Sequence, residues 1–208
     1  NDLGGTNDGT GADITPAQQV VEEIKANGGE AVVNGDNVAD WQGAQRLINQ
    51  AVETFGDLDI LVNNAGILRD KSFAKMDMAD FRLVVDVHLM GAVICTKAVW
   101  EIMKAQQYGR IVFTTSSSGL FGNFGQSNYG AAKMALVGLM QTLSLEGEKA
   151  NIRVNCLAPT AATQMTEGIL TPEVLAQFQP ERVSPGLVML VSEQAPSRAI
   201  LCAGAGTF

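Results

Sequence analysis

Strand-like runs alternate with segments of helical periodicity along most of this chain. The strand-like runs are Leu58–Val62, Gly109–Thr115 and Ile152–Leu157. Helical patterns lie between them at Met78–Gln106 and Asn128–Ala150. Helices placed in this way connect parallel strands, and strands that are apolar on both faces must be covered on both. We therefore predict an α/β fold in three layers, a doubly wound parallel sheet between two layers of helices.

The first part of the chain continues this alternation. A helix that begins after Thr15-Pro16 is predicted to end near Asn27, where Gly28 follows. Ala31–Val33 is a short apolar run suited to a buried strand, and apolar residues recur at helical spacing over Trp41–Phe55. Three of the predicted strands lead into polar motifs at their carboxyl ends, where open α/β sheets bind ligands.

Net charge and cysteine content narrow the class of protein. A formal net charge of −8 and a pI of about 4.6 repel phosphate backbones and anionic lipid surfaces. Nucleic acid and membrane are therefore not expected partners. Cys95, Cys156 and Cys202 form no CxxC or metal-ligand pattern, which is typical of reduced thiols in a cytosol. We expect one cytoplasmic domain over residues 1–208, without a metal site.

Glycines near the start of the chain imitate a phosphate-binding loop. Gly5, Gly9 and Gly11 fit a dinucleotide-loop spacing, but Asn1–Leu3 is too short for the strand that must precede such a loop. We interpret Gly4–Gly11 as a surface loop and Asn1–Leu3 as the end of a second strand. On this interpretation the first strand, the true glycine loop and the first helix lie upstream. The 208 residues alone are then expected to expose an apolar slot beside the sheet.

The strongest chemical signal is the spacing of Ser116, Tyr129 and Lys133. Tyr129 and Lys133 stand one helical turn apart on the same face, so the ammonium can lie near the phenol oxygen. A close cation favours the phenolate, and we expect it to lower the pKa of Tyr129 toward that of a working acid or base. Ser116 would then hydrogen-bond the substrate oxygen as its charge changes.

These motifs resemble the short-chain dehydrogenase/reductase family over nearly the whole chain. The resemblance rests on Asn63–Gly66, Ser116, Tyr129, Lys133 and Arg153–Pro159. It implies a Rossmann-like fold and an NAD-dependent enzyme that moves a hydride between nicotinamide and a hydroxyl or keto group. By resemblance, the cofactor is bound by Asp2, Asn37, Val38, Asn64, Ala65, Gly66, Tyr129, Lys133, Pro159, Ala161 and Thr163. Asp2 would meet the adenosine ribose and repel a 2′-phosphate, which favours NAD over NADP.

Longer runs resemble the (3R)-hydroxyacyl-CoA dehydrogenase module of the peroxisomal multifunctional enzyme and its bacterial relatives. They include Asn1–Gly5, Asn64–Asp70, Tyr108–Ile111 and Gly122–Gln126. In this subfamily His88 stands where the wider family has a helix Asn that holds a water beside the lysine. His88 is therefore added to the expected catalytic residues. Thr160 replaces the Gly that usually follows Pro159, and a homodimer or homotetramer is implied.

Three hypotheses for the function stay open at this point. The first is oxidation of a (3R)-3-hydroxyacyl-CoA with NAD, in which Tyr129 takes the hydroxyl proton. The second is another enzyme of the same family, a 3-ketoacyl-carrier-protein reductase or a dehydrogenase of steroids or other secondary alcohols. The third is a dinucleotide-binding regulator or an inactive fragment. The acyl chain length is open, because the expected substrate lid near Met165–Pro180 is the least patterned part of the chain.

Overall fold

The computed structural model describes residues 1–163 and 171–208, which are built around a sheet of four parallel strands. The strands are β1 (Ile60–Asn63), β2 (Gly109–Thr114), β3 (Ile152–Thr160) and β4 (Ile200–Gly204), in the spatial order β1-β2-β3-β4. Because the strands are parallel, their carboxyl ends share one edge of the sheet. The predicted α/β class with a parallel sheet is confirmed.

Helices connect the strands and cover the sheet. They are α1 (Thr15–Ala26), α2 (Trp41–Phe55), α3 (Met78–Val85), α4 (Gly91–Gln106), α5 (Ser117–Phe121), α6 (Ser127–Gly147), α7 (Pro172–Leu175) and α8 (Ser184–Val191). A π-helical turn, Asp86–Met90, joins α3 to α4, so the helix predicted over Met78–Gln106 is continuous but not uniform. Short 3-10 turns lie at Phe73–Lys75, Glu148–Ala150 and Pro180–Arg182.

The core lies on both faces of β2, whose residues are all buried. On one face, Ile111 and Phe113 pack against α4 and α6 through Val99 and Met140. On the other face, Val112 packs in a smaller cluster with buried residues of β3, β4 and α8. The helix–sheet–helix layering therefore follows from the two-sided apolar character of the strands.

A buried arginine ties the start of β2 to the neighbouring loops. Arg110 is 1% exposed, and its guanidinium donates to the carbonyl oxygens of Gly109, Asn151, Ser192 and Glu193. The same group lies over the ring of Tyr108, 4.2 Å from its centroid. Burial of the charge is tolerated because hydrogen bonds replace those lost to water.

The helix predicted over Trp41–Phe55 has these bounds in the structure, and its ends explain why. The carboxylate of Asp40 accepts a hydrogen bond of 2.7 Å from the backbone N–H of Gly43, which satisfies a donor of the first turn. Gly56 follows the last turn with a φ of 90°, a conformation that ends helices and favours glycine.

The strand predicted at Ala31–Val33 is wrong, because these residues form no ladder with a neighbour. Asn1–Leu3, interpreted as the end of a strand, is likewise irregular. The two segments do lie side by side, since the N–H of Asp2 donates to the carbonyl of Asn34 at 3.1 Å. A single backbone bond is less than a regular strand pairing requires.

Apolar side chains beside β1 are exposed. Ile60 and Val62 are 45% and 39% exposed, and Leu3 and Val32 are exposed to a similar degree. Within residues 1–163 and 171–208, β1 pairs with β2 alone. This agrees with the exposed apolar slot that was expected; the upstream strand and helix stay a prediction.

One helical run in the described part of the chain, Met78–Gln106, is long and apolar enough to cross a membrane. Buried helices of globular domains meet the same criteria, so this is weak support for a membrane span. Val99 and Met103 of this run are fully buried in the protein core.

Candidate active site

Ser116, Tyr129, Lys133 and His88 meet at the carboxyl edge of the sheet. Ser116 follows β2 and begins α5, where its hydroxyl accepts from the N–H of Ser118 at 3.2 Å. Tyr129 and Lys133 lie on α6, and His88 lies in the π-helical turn. All four are buried or half-buried. Tyr129 lies beside His88 and Lys133 and hydrogen-bonds Ser116. The residues that were expected to be catalytic therefore come together in the fold.

Lys133 is held beneath the site by the end of β2. Lys133 is 3% exposed, and its ammonium donates to the carbonyl of Thr114 at 2.5 Å, while the hydroxyl of Thr115 donates to the Lys133 carbonyl at 2.7 Å. Burial lowers the pKa of Lys133 to about 7, because the charged form loses its hydration. The ammonium lies 5.4 Å from the centroid of the Tyr129 ring.

The expected lowering of the Tyr129 pKa is wrong for this structure. Burial is the largest influence and raises the pKa of the phenol, because a phenolate is poorly solvated there. A hydrogen bond with Ser116 acts in the opposite sense, and the negative charge of Asp70 adds to the increase. The cation one turn away along the helix does not outweigh desolvation.

His88 packs edge-on against Tyr129 and is 3% exposed. Its Nε2 lies 3.0 Å from the N–H nitrogen and 2.8 Å from the carbonyl oxygen of Ile67, so it can accept from one or donate to the other, depending on the tautomer. Burial and the charge of Lys133 lower the pKa of His88 to about 3, which keeps the ring neutral. Its Nδ1 is buried and has no hydrogen-bond partner in the structure.

The absence of a side chain at Gly66 makes room for this ring. A Cβ at Gly66 would collide with Cε1 of His88. Gly66 is therefore required for the position of the His88 ring, in addition to its expected role in binding the cofactor.

The residues expected around the cofactor lie along the same edge of the sheet. Asn64 and Ala65 follow β1 and are exposed, and the Asn64 side-chain oxygen accepts from the hydroxyl of Thr114 at 3.0 Å. Pro159 belongs to β3, which extends to Thr160 and pairs there with β4. Ala161 and Thr163 follow directly, at the end of the first described range. Thr160 thus continues the strand where the family usually has Gly.

The residues expected at the adenosine end lie on irregular segments. The Asp2 carboxylate is exposed and accepts a hydrogen bond of 2.6 Å from the N–H of Gly4. Asn37 is exposed, and Val38 packs against Gly91 at the start of α4. No observation places any of these side chains against a nucleotide, so their roles stay predictions.

The donor set at the edge suits the ribose and amide groups of a nicotinamide dinucleotide. The ammonium of Lys133 carries three protons, of which the Thr114 carbonyl accepts one. The remaining donors can bind ribose hydroxyls. The exposed amide of Asn64 and the backbone after Pro159 add polar groups beside it.

The loop Gly4–Gly11 packs against the segment that follows β1 and supports it. Gly9 lies against the side chain of Ile67. The carbonyls of Asn7 and Asp8 accept from the N–H of Leu68 at 2.8 Å and from Nε of Arg69 at 2.6 Å. Most of residues 4–11 are nevertheless exposed, so the interpretation of these glycines as a surface loop agrees with the structure.

Sequence reasoning missed several residues around Tyr129. Gln126 is 9% exposed and donates to Asp70 at 2.7 Å; both residues end runs that carry the resemblance, but neither was assigned a role. Phe121 and Phe124 lie between Ser116 and Tyr129 and are 84% and 90% exposed. The signal that could have identified them was the presence of two phenylalanines in the short segment between two expected catalytic residues. The part of the expected lid at residues 164–170 lies outside the described residues.

Comparison with known proteins identifies similar sequences. Residues 10–173 match the family described as short chain dehydrogenase. The chain is 52% identical over 199 residues to a short-chain type dehydrogenase/reductase of Mycobacterium tuberculosis, covering 96% of this chain and 70% of that one. It is 50% identical over 209 residues to a peroxisomal hydratase-dehydrogenase-epimerase of Saccharomyces cerevisiae, covering 100% and 23%. A 3-oxoacyl-[acyl-carrier-protein] reductase of Synechocystis is 41% identical over 189 residues, covering 87% and 76%.

Solved structures share the fold. The full-length peroxisomal multifunctional enzyme type 2 of Drosophila melanogaster aligns with a TM-score of 0.79 and 41% identity, over 92% of this chain and 32% of that one. A 7α-hydroxysteroid dehydrogenase in complex with NADH and 7-oxo-glycochenodeoxycholic acid aligns with a TM-score of 0.84 and 29% identity, over 93% and 80%. The chain thus spans less than a third of the length of the yeast and fly multifunctional proteins.

Proposed function

Because the chain belongs to the short-chain dehydrogenase family, we propose that it oxidises (3R)-3-hydroxyacyl-CoA thioesters with NAD as the hydride acceptor. The observation that carries the proposal is the meeting of Ser116, Tyr129 and Lys133 at the carboxyl edge of the sheet. The substrate class is supported by similarity to a peroxisomal hydratase-dehydrogenase-epimerase.

The reaction assigned to these residues moves one proton and one hydride. Tyr129 Oη takes the proton of the substrate hydroxyl as the carbon that carries it becomes a carbonyl carbon. A bound nicotinamide would supply the acceptor for the hydride that leaves that carbon. Ser116 hydrogen-bonds the same substrate oxygen and stabilises its changing charge. The reverse reduction uses the same groups.

Lys133 supports the phenol and holds the cofactor in this proposal. Its ammonium is oriented by the carbonyl of Thr114 and lies close to the Tyr129 ring. A positive charge there favours the phenolate that accepts the substrate proton. The ammonium protons that Thr114 does not take would bind the nicotinamide ribose.

His88 is proposed to hold a water beside Lys133. Among the described residues, its Nδ1 and the hydroxyl of Ser127 are the buried side-chain polar atoms without a hydrogen-bond partner, and the charge of Lys133 acts on the imidazole ring. Buried polar groups are rarely left without a partner, so a water bridging these groups is a reasonable occupant.

The acyl chain is proposed to lie against Phe121 and Phe124. Both rings are almost fully exposed between Ser116 and Tyr129, Phe121 at the end of α5 and Phe124 on the loop that leads to α6. An apolar chain leaving the reacting carbon would cover part of this surface and remove it from water. Polar substrates would gain nothing from the two rings.

A second enzyme hypothesis has support of its own. The Synechocystis relative is named a 3-oxoacyl-[acyl-carrier-protein] reductase, and the aligned hydroxysteroid dehydrogenase was solved with a bile-acid ligand. Both reactions would use Ser116, Tyr129 and Lys133. The reductase hypothesis predicts a preference for NADPH, which the proposed position of Asp2 disfavours.

A homo-oligomer formed through α4 and α6 is also proposed. A shallow hollow of about 150 Å³ lies between these helices and is lined by Val93, Thr96, Lys97, Trp100, Leu139, Leu143 and Glu146. Met134 and Leu145 on α6 are 48% and 60% exposed. Apolar helix faces of this kind commonly pack against a second copy. A cytoplasmic location stays a prediction from the cysteine pattern.

The substrate proposal is tested by NADH formation with matched enantiomers. We expect turnover with a (3R)-3-hydroxyacyl-CoA and little with the (3S)-form of the same chain length, while Tyr129→Phe abolishes the signal with both. A bile-acid alcohol and the reverse reaction with NADPH complete the panel. Activity on the steroid alone, or on 3-ketoacyl groups with NADPH alone, would replace the proposal by the second hypothesis.

A further inference from the structure

The segment Arg69–Lys71 is fastened to the start of α6 by three hydrogen bonds. The amide of Gln126 donates to the Asp70 carboxylate at 2.7 Å. The N–H of Lys71 donates to the carbonyl of Gly125 at 2.9 Å, and the amide of Asn128 donates to the carbonyl of Arg69 at 3.0 Å. Asn128 is fully buried and Gln126 nearly so. Asp70 itself is exposed, so the junction is packed on the α6 side and open to solvent at the carboxylate.

The same junction residues fix the turn that carries Tyr129. Gln126 directly precedes α6, and its carbonyl accepts from the N–H of Gly130 at 2.7 Å. The side chain of Asn128 accepts from the N–H of Tyr129 at 2.8 Å. A change at Asp70 can thus reach Tyr129 through Gln126.

Asp70 also brings a negative charge that its cationic neighbours do not neutralise. Arg69 and Lys71 flank it in the chain, but both are paired with Asp80, at 3.2 and 3.6 Å. Within the described ranges no ion pair includes Asp70. Its hydrogen-bond partner is the neutral amide of Gln126. The charge therefore remains free to act on nearby titratable groups.

We propose that Asp70 is a positioning residue for the reaction, whose carboxylate holds Gln126 at the first turn of α6 and places an uncompensated negative charge near the phenol of Tyr129. This inference rests on the proposed function, because it assigns a part in that reaction. The phenol is the form that donates a proton to a ketone, so the charge of Asp70 favours the reverse, reductive direction of the proposed reaction and opposes the phenolate that the oxidation uses.

The charges around Tyr129 determine the sign of the effect. Lys133 on α6 and the neutral ring of His88 in the π-helical turn lie beside the phenol, Ser116 hydrogen-bonds it, and the charge of Asp70 acts on it as well. Asp70 raises the pKa of Tyr129 in addition to the effect of burial. Removing its charge alone should therefore lower that pKa and extend the phenolate to lower pH.

The charge is tested by ultraviolet titration of the phenol without substrate. The chain has two tyrosines, so in a Tyr108→Phe background the tyrosinate absorbance reports Tyr129 alone. Asp70→Asn keeps the shape and an acceptor oxygen for Gln126, and should lower the pKa of Tyr129 by roughly 0.3 to 1 unit. Asp57→Asn removes an exposed charge near the amino end of β1, at the edge of the sheet opposite the site, and should leave the pKa of Tyr129 unchanged.

The positioning role is tested by a variant that keeps the charge and changes the shape. Asp70→Glu should retain the parent pKa of Tyr129 and lower kcat several-fold, whereas Asp70→Asn should keep kcat within about twofold at its new optimum. Equal pKa values of Tyr129 in Asp70→Asn and Asp57→Asn would overturn the electrostatic part. Unchanged kcat in Asp70→Glu would overturn the positioning part. The absorbance titration needs no substrate. The effect of Asp70 on the pKa of Tyr129 can therefore be measured even if the proposed function is wrong.

Discussion

The imidazole of His88 lies edge-on to the phenol of Tyr129, with ring centroids 5.0 Å apart and planes at 86°. The π-helical turn makes this contact possible, because its extra residue turns the His88 side chain inward between α3 and α4. The backbone of Ile67 holds Nε2, and Gly66 leaves space beside the ring. The single histidine of the chain is therefore a packed part of the site.

We expect His88 to stay neutral in the folded protein at physiological pH. Its folded pKa is about 3, below the ordinary value of about 6.5. Between these values the unfolded chain binds the extra proton, so the free energy of unfolding falls as pH is lowered through this window. Since the chain has one histidine, NMR of the imidazole C–H signal checks this directly. A titration near pH 6.5 in the folded protein would contradict the burial argument.

His88 also predicts part of the acid sensitivity of the fold. The free energy of unfolding should lose roughly 1.4 kcal/mol per pH unit from this group below about pH 6.5. His88→Phe removes the titration and should flatten this dependence relative to the parent chain. Urea unfolding of both proteins at several pH values measures the difference. Equal slopes for both would exclude His88 as the source.

Substitutions in the catalytic residues should separate their roles. Tyr129→Phe keeps the ring against His88 and should lower turnover by roughly 10²-fold or more, with cofactor binding almost unchanged. Lys133→Met should lower turnover and weaken cofactor binding, because one ammonium serves both. Ser116→Ala should mainly lower turnover. Steady-state kinetics and cofactor fluorescence titration measure the pattern, and near-native turnover in Tyr129→Phe would end the proposed mechanism.

The exposed phenylalanines should affect long acyl chains more than short ones. Phe121→Ala and Phe124→Ala each remove apolar surface beside the reacting groups, and should raise KM for a long-chain substrate roughly tenfold together. For a four-carbon substrate KM should change little. Phe55→Ala, at the end of α2 and 45% exposed, is the matched control. A uniform change across chain lengths would place the acyl chain elsewhere.

Arg110 should contribute strongly to stability. Arg110→Met removes four hydrogen bonds to backbone carbonyls, of which two keep a backbone N–H donor. We expect a loss of roughly 2–4 kcal/mol in the free energy of unfolding. Arg82→Met, on an exposed position of α3, should cost much less. Urea denaturation compares the two, and similar losses would show that the carbonyls find other partners.

Local patterns were sufficient for the regular elements that continue over many residues. Trp41–Phe55 was predicted with its bounds, because both its apolar periodicity and its end signals are local. Ala31–Val33 failed because a strand exists only through a ladder with neighbours, which an apolar run does not guarantee. Helix α5 and strand β4 were not predicted, since each has five residues and too little periodicity.

In the site, spacing predicted which residues meet but not their energetics. Tyr129 and Lys133 are one turn apart in any helix, so their approach follows from sequence alone. The direction of the Tyr129 pKa depends on how deeply the fold buries the phenol, which spacing does not determine. Asp70 and Gln126 are 56 positions apart and meet only through the tertiary fold.

The preference for NAD over NADP should depend on Asp2, which the resemblance places beside the adenosine ribose. The side chain is exposed and held by the N–H of Gly4, beside the segment that leads to Asn37. A carboxylate near the 2′ position would repel the added phosphate of NADP, so kcat/KM should favour NAD by roughly tenfold or more. Asp2→Ala should reduce this ratio by improving NADP, whereas Asp13→Ala should leave it unchanged. The ratio is measured with one substrate and both cofactors at fixed ionic strength, since screening weakens the repulsion. A preference for NADP in the parent chain would contradict the assignment of Asp2. It would also favour the reductase hypothesis, because the same catalytic residues serve both directions.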